Sequence, residues 1–153
     1  MLRYIGSYFL GGNAMNITKI SILIKKTSLV FDKISNQLLT PYDLTGSQFK
    51  ILMVLMHASA GSVRQTDIEN KFAMTNPTVT GLIHKLEAKD LVKRMPHPED
   101  KRSKVLVLTD RAMAMKEELL ALADSLEQQM TSNLTADEYT QLACLLKKML
   151  DVN

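Results

Sequence analysis

Residues 75–89 have the pattern of a helix and lead without a break into a strand, a charged Pro-containing loop and a second strand ending at residue 108. No other stretch constrains the fold as tightly. A helix that ends against a two-stranded hairpin with a charged tip builds a winged unit, in which the helix suits a major groove and the tip a neighbouring minor groove. Thr75, Asn76 and Pro77 form the start signal. Thr or Asn accepts a bond from an orphan amide, and Pro fits the first turn, where its missing N–H costs nothing. Val79, Leu82, Ile83 and Leu86 then recur at helical intervals and make one apolar stripe. The opposite face carries Thr78, Thr80, Gly81, His84 and Lys85, small and polar at first and basic one turn later. Such a face can lie close to base edges and phosphates, although a solvated helix has the same pattern.

The hairpin separates these readings. Residues 91–95 and 103–108 read as strands, and the seven residues between them are too irregular for a tight two-residue turn, so they protrude. Lys101, Arg102 and Lys104 at or beside the tip suit phosphates, and a guanidinium enters a narrow minor groove. Asp100, two residues from Arg102, is in reach to orient it. The plainer alternative is a solvated loop whose charges keep an edge hairpin from aggregating. The preceding helix favours the first.

Helical pattern dominates the rest of the chain. Ile17, Ile20, Ile24, Thr27, Phe31, Ile34 and Leu38 recur at intervals of three and four until Pro41 stops the helix. Thr45 with Gln48 predicts a capping box opening a helix whose inner face holds Phe49, Leu52, Met53 and Met56. Ser62 with Gln65 predicts a second box, starting a short helix through Ile68 and Phe72. That helix and the one from Thr75 make a helix-turn-helix. Thr109 caps a helix running to about Met130, with Met115, Leu119, Leu122, Ala123 and Leu126 inward. Thr135 with Glu138 forms a third box, and Tyr139, Leu142, Leu146 and Met149 continue beyond it. These faces exceed what a winged domain of about sixty residues covers, and burial contributes roughly 25 cal/mol per Å². A second copy on a two-fold axis is the natural cover, against the alternative of a self-contained monomer. Ile17, Ile20, Ile24, Phe31, Tyr139, Leu142, Leu146 and Met149 are the candidate dimer residues.

Charge and composition exclude several classes. Residues 1–104 hold fifteen Lys/Arg against eight Asp/Glu, and residues 105–153 hold four against eight, for net charges of +7 and −4. A field so divided turns the basic part toward a polyanion. A single cysteine, Cys144, forbids an internal disulfide and suits a reducing, cytoplasmic compartment. No apolar run is long enough for a bilayer. Residues 1–15 faintly resemble a signal peptide, but Gly6 and Ser7 interrupt the apolar part; the stretch reads as an added arm or as residues preceding a start at Met15. There is no phosphate-binding glycine loop, nucleophile elbow or HExxH pair, so catalysis finds no support. His57, His84 and His97 are not spaced as metal ligands, and no cofactor is implied. Cys144, beside Leu142, Leu145 and Leu146, reads as inert packing ahead of a redox sensor. Met53, Met56, Met115, Met130 and Met149 sit at core spacing, although their thioethers would also suit a ligand pocket.

An ordered set of segments carries a resemblance. Residues 63–68 (VRQTDI), 78–87 (TVTGLIHKLE), 90–94 (DLVKR), 98–102 (PEDKR) and the pair Leu108 and Thr109 are similar to the MarR family of bacterial transcriptional regulators. No one segment is diagnostic; their order over residues 16–150 is. The resemblance implies a mostly α fold with a small β-hairpin wing, in which a winged helix-turn-helix at 45–108 is joined to dimerisation helices at 16–44 and 109–153. It implies a homodimer on near-palindromic double-stranded DNA, usually a repressor released by a small ligand or oxidant. Thr78, Thr80 and Lys85, with Asn76 and His84, would form the reading face. Asp100, Lys101, Arg102 and Lys104 would serve the wing, while Arg64 and Gln65 at a helix N-terminus would hold a phosphate. An effector of unidentified chemistry would lodge between the terminal helices and the winged domain. Departures are His97 where Asp is common, Glu99 where a basic residue is common, and Asp90 and Ala112 at usual glycine positions. Taken together, the first two leave the wing less positively charged. The alternative from another class is a winged module that binds protein through Val105, Val107 and the helix face.

Overall fold

The computed structural model describes residues 19–97, 100 and 103–151. The expectations for residues 1–15, Ile17, Glu99, Lys101 and Arg102 lie outside the described residues. The chain divides into two compact units, Met1–Val30 and Phe31–Asn153. Within the first, the described residues form the opening turns of helix α1 (Ile20–Leu39), where Ile20, Ile22, Leu23, Ile24, Leu29 and Val30 are all exposed.

The second unit holds the remaining elements. After the end of α1 come α2 (Gly46–His57), β1 (Val63–Arg64), α3 (Gln65–Phe72), α4 (Asn76–Ala88), β2 (Val92–Pro96), β3 (Lys104–Leu108), α5 (Asp110–Ala114), α6 (Lys116–Thr131) and α7 (Ala136–Leu150). The sheet is antiparallel in the order β1-β3-β2, pairing Val63 with Leu106 and running from Val92–Leu108 to Pro96–Lys104. Its inner side and helices α2 to α4 share a core that includes Ile51, Leu52, Ile68, Val79, Ile83 and Leu86, each fully buried. Ala112 and Leu119 extend that core into α5 and α6.

Two expected capping boxes form. Thr45 Oγ1 accepts from the Gln48 amide at 3.3 Å while Gln48 Oε1 accepts from the Thr45 amide at 3.1 Å, and Thr135 and Glu138 repeat the exchange. The third does not. Ser62 instead donates to Ser59 O at 2.7 Å, and the helix starts later, where Asp67 accepts from the Arg64 amide at 2.7 Å. The reason is β1: pairing with β3 holds residues 63–64 extended and moves the N-cap to Arg64. The tail helix from Thr109 is also interrupted, α5 ending and α6 starting around Met115. Thr109 does cap α5, accepting from the Ala112 amide at 3.2 Å and donating to Asp90 O at 2.6 Å.

Three helix ends turn through a left-handed residue, Asp43, Ala73 and Asp90, with φ of 52°, 49° and 54°. Each lets the next amide, on Leu44, Met74 or Leu91, bond back to a carbonyl five residues earlier, satisfying an orphan acceptor. Asp90 thus takes the conformation expected of it. Lys89 fixes the far end of α4, reaching Asp43 O, Asp43 Oδ2 at 3.1 Å and Gln48 Oε1 at 3.4 Å.

Candidate nucleic-acid interface

Helix α4 is oriented by its apolar side. Val79, Ile83 and Leu86 are fully buried, and Leu82 is half-buried. With 3.6 residues per turn, that inner stripe forces the other side outward. Asn76, Thr78, His84 and Lys85 are exposed and Thr80 is half-buried. Thr75 stands at the N-cap without bonding a backbone amide; its hydroxyl meets that of Thr78 at 2.9 Å.

A polar web joins α3 to α4. Gln65 Nε2 donates to Glu69 Oε1 at 2.9 Å and to Thr80 Oγ1 at 2.8 Å, and Asn76 Nδ2 donates to the same Glu69 oxygen at 2.7 Å. Both amide hydrogens of Gln65 are therefore committed inside the protein, which leaves its side chain only an acceptor. An acceptor does not hold a phosphate oxygen, so of the pair Arg64 and Gln65 only exposed Arg64 retains a side-chain donor for that task.

The hairpin is clipped to the far end of the same helix. Arg94 Nη1 on β2 donates to Glu87 Oε2 at 2.6 Å, and His84 Nδ1 stands 3.4 Å from that oxygen. The Arg94–Glu87 pair is mostly shielded, with 20% and 27% of the side chains exposed, so its geometry is better held than that of a free surface pair. At the tip, His97 donates its amide to Ser103 O at 2.9 Å, while Ser103 bonds Asp100 O through both its amide, at 3.0 Å, and its hydroxyl, at 3.1 Å. The orienting of Arg102 by Asp100 lies outside the described residues. Between hairpin and α3 opens a cleft of about 310 Å³ lined by Arg64, Gln65, Thr66, Arg94, Ser103, Lys104 and Leu106. Three cations converge there, one of them paired with Glu87.

Sequence reasoning missed Arg94, Glu87 and Glu69. Glu69 had a usable signal, standing one helical turn from Gln65. Arg94 and Glu87 had none, because strand and helix meet only in the fold. Two other expectations need correction. Val105 is 2% exposed on β3 and cannot belong to a protein-binding surface, which leaves of that set half-buried Val107 and the helix face. Cys144 is exposed, as are Leu142, Leu145 and Leu146 beside it, so within this chain it is not packed among them.

Among the candidate dimer residues of the second unit, Tyr139, Leu142, Leu146 and Met149 are 42–48% exposed and Phe31 is half-buried. Leu145 and Leu150 join them at 57% and 78%. The Tyr139 hydroxyl is held above its usual pKa by its bond to Glu127. Among the described residues no group of three or more His, Cys, Asp or Glu is placed to hold a metal ion, and no helix is long and apolar enough to cross a membrane.

Comparison with known proteins agrees with this geometry. The family model described as the MarR family matches residues 44–104. The multiple antibiotic resistance protein MarR of Escherichia coli is 34% identical over 120 residues, 78% of this chain and 82% of that protein. The solved structure of a single-residue mutant of it, complexed with operator DNA, covers 85% of this chain and 92% of its own at 33% identity and a TM-score of 0.76. The MepR–DNA complex of Staphylococcus aureus covers 89% and 99% at 29% identity, with a TM-score of 0.81. Bordetella bronchiseptica BpsR, whose DNA binding is regulated by 6-hydroxynicotinic acid, covers 93% and 100% at 26% identity and 0.78. With its fold, its helix-turn-helix and most of its length shared with these regulators, the chain belongs to the MarR family.

Proposed function

We propose that this chain is a non-catalytic, cytoplasmic transcriptional regulator that binds a near-palindromic double-stranded DNA operator as a homodimer and represses from it. The observation that carries the reading is the placement of α4, exposed along Asn76, Thr78, His84 and Lys85 and bonded through Thr80 and Glu87 to Gln65 and Arg94 of a cleft that also holds Arg64 and Lys104. In this arrangement α4 enters the major groove, Thr80 and Lys85 address base edges, and Arg64 and Lys104 neutralise flanking phosphates. The wing, with Asp100 and Lys104 among its described residues, serves the minor groove. The relatives from Escherichia coli and Staphylococcus aureus, both solved on DNA, support the same mode.

Residues 45–108 act as the reading domain, with 16–44 and 109–153 as the dimerisation region and 1–15 as an extension. The exposed apolar residues of α1 and α7 support a second subunit. A small-molecule effector fits the response of the Bordetella bronchiseptica relative. An apolar cleft of about 300 Å³ between the winged elements and the start of α5 and α6, lined by Leu55, Met56, Val63, Leu108, Met113 and Lys116 among others, offers it a place.

The test is selection of bound duplex fragments from the source genome, followed by affinity measurements across salt concentrations. Log K should fall steeply with log salt. Arg64→Ala should reduce the slope by about 0.9 without changing base preference, whereas Lys85→Ala should both weaken binding and blur the preference. A shallow slope that neither variant alters would favour a protein-binding module.

A further inference from the structure

We infer that Glu69 is a positioning residue for base recognition, setting which hydrogen-bonding groups of Gln65, Asn76 and Thr80 face the DNA; this rests on the reading face proposed above. One carboxylate oxygen accepts from Gln65 Nε2 at 2.9 Å and from Asn76 Nδ2 at 2.7 Å, and Gln65 passes the constraint to Thr80 Oγ1 at 2.8 Å. Bonds to a carboxylate are shorter and stronger than neutral ones, so the web is ordered in the free protein. Ordering before binding removes the entropic cost of fixing these side chains on DNA.

The web also determines polarity. Thr80 Oγ1 accepts from Gln65, so its hydroxyl hydrogen turns outward as a donor suited to guanine N7 or O6 or to thymine O4. Gln65 has spent both amide hydrogens and offers only Oε1, an acceptor suited to adenine N6 or cytosine N4. Asn76 keeps one N–H and its oxygen, from a fixed rotamer. Without Glu69 each amide would be free to turn over, and the surface would no longer present one pattern. The helix pair itself does not depend on the web, because Ile68 and Val79 are fully buried beneath it.

The experiment measures affinity for a selected operator and for random duplex with full-length wild type, Glu69→Ala, Glu69→Gln, Asn76→Ala and the Glu69→Ala/Asn76→Ala pair. Glu69→Ala should lower the ratio of specific to non-specific affinity by about tenfold while non-specific affinity holds or rises, because a charge that repels phosphates is gone. Glu69→Gln should keep most of the ratio, since its amide oxygen accepts the same bonds. In the Asn76→Ala background the effect of Glu69→Ala should shrink, the signature of residues acting through one another. A parallel loss of specific and non-specific affinity, an additive double variant, or an unchanged ratio would overturn the inference while leaving the reading face intact. A wild type without sequence preference would overturn both. Nuclear magnetic resonance of the free wild type gives a second measurement that needs no variant: the Gln65 and Asn76 side-chain amides should be shifted and slow to exchange, and solvent-like signals would reject the web.

Discussion

Ala73 illustrates how one residue can oppose its local preference. It ends α3 at a φ of 49°, in the left-handed region, and the turn it makes sends α4 off in its own direction. An L side chain there costs roughly 1–2 kcal/mol, of which glycine's greater unfolded-state freedom takes back about 0.4–1. Ala73→Gly should therefore stabilise the protein by up to about 1.6 kcal/mol, read as a higher denaturation midpoint at unchanged m-value; a lower midpoint would show that the Ala73 methyl contributes packing that outweighs the strain. The same conformation at Asp90 was legible, because a short polar side chain tolerates it. At Ala73 it was not: the turn between Phe72 and Thr75 was readable, but alanine, the best helix former, gives no sign that it takes a left-handed conformation there. The reading face shows the same division. Thr78, His84 and Lys85 followed from the apolar stripe opposite them, whereas the partners of Gln65 and Arg94 depend on contacts between elements that periodicity does not encode.

At the scale of elements, capping residues were the most legible features and long-range pairing the least. Thr45 with Gln48 and Thr135 with Glu138 formed as expected, since each box needs only its own first turn. Ser62 with Gln65 did not, because β3, some forty residues later, takes Val63 and Arg64 into the sheet first. The cap on α7 carries a pH signature. Bonds from the Thr135 amide and hydroxyl hold the Glu138 carboxyl below its ordinary value of 4.5. A depressed folded-state value means that the contribution to stability is fully present above the unfolded value and disappears as the pH falls through the folded one. The stability advantage of the wild type over Glu138→Gln should thus be constant near neutrality and shrink under acid, as followed by thermal unfolding across pH. An advantage independent of pH would mean that the charge contributes nothing to the cap.

For the whole molecule, the division of charge and the surplus of apolar helix surface are both legible in the sequence, and they point to an assembly with a basic side. Fully burying an exposed leucine contributes about 1.5–3 kcal/mol, and Leu142 and Leu146 are still 43% and 42% exposed, so covering each gains roughly two-fifths of that and leaving the whole face of α7 wet would be costly. A two-fold dimer that covers it presents two copies of α4, and those copies suit major grooves one helical turn apart, about 34 Å along B-form DNA. Neither helix alone reads enough bases for an operator. Binding must therefore depend on the spacing of two half-sites, which is tested by affinity for the selected duplex before and after inserting five base pairs at its centre. Half a turn of added twist places the second half-site on the far side of the duplex, and affinity should fall on the order of a hundredfold, with ten inserted base pairs recovering part of it only if the subunits can spread. Equal affinity for the original and the five-base-pair insertion would contradict that dependence.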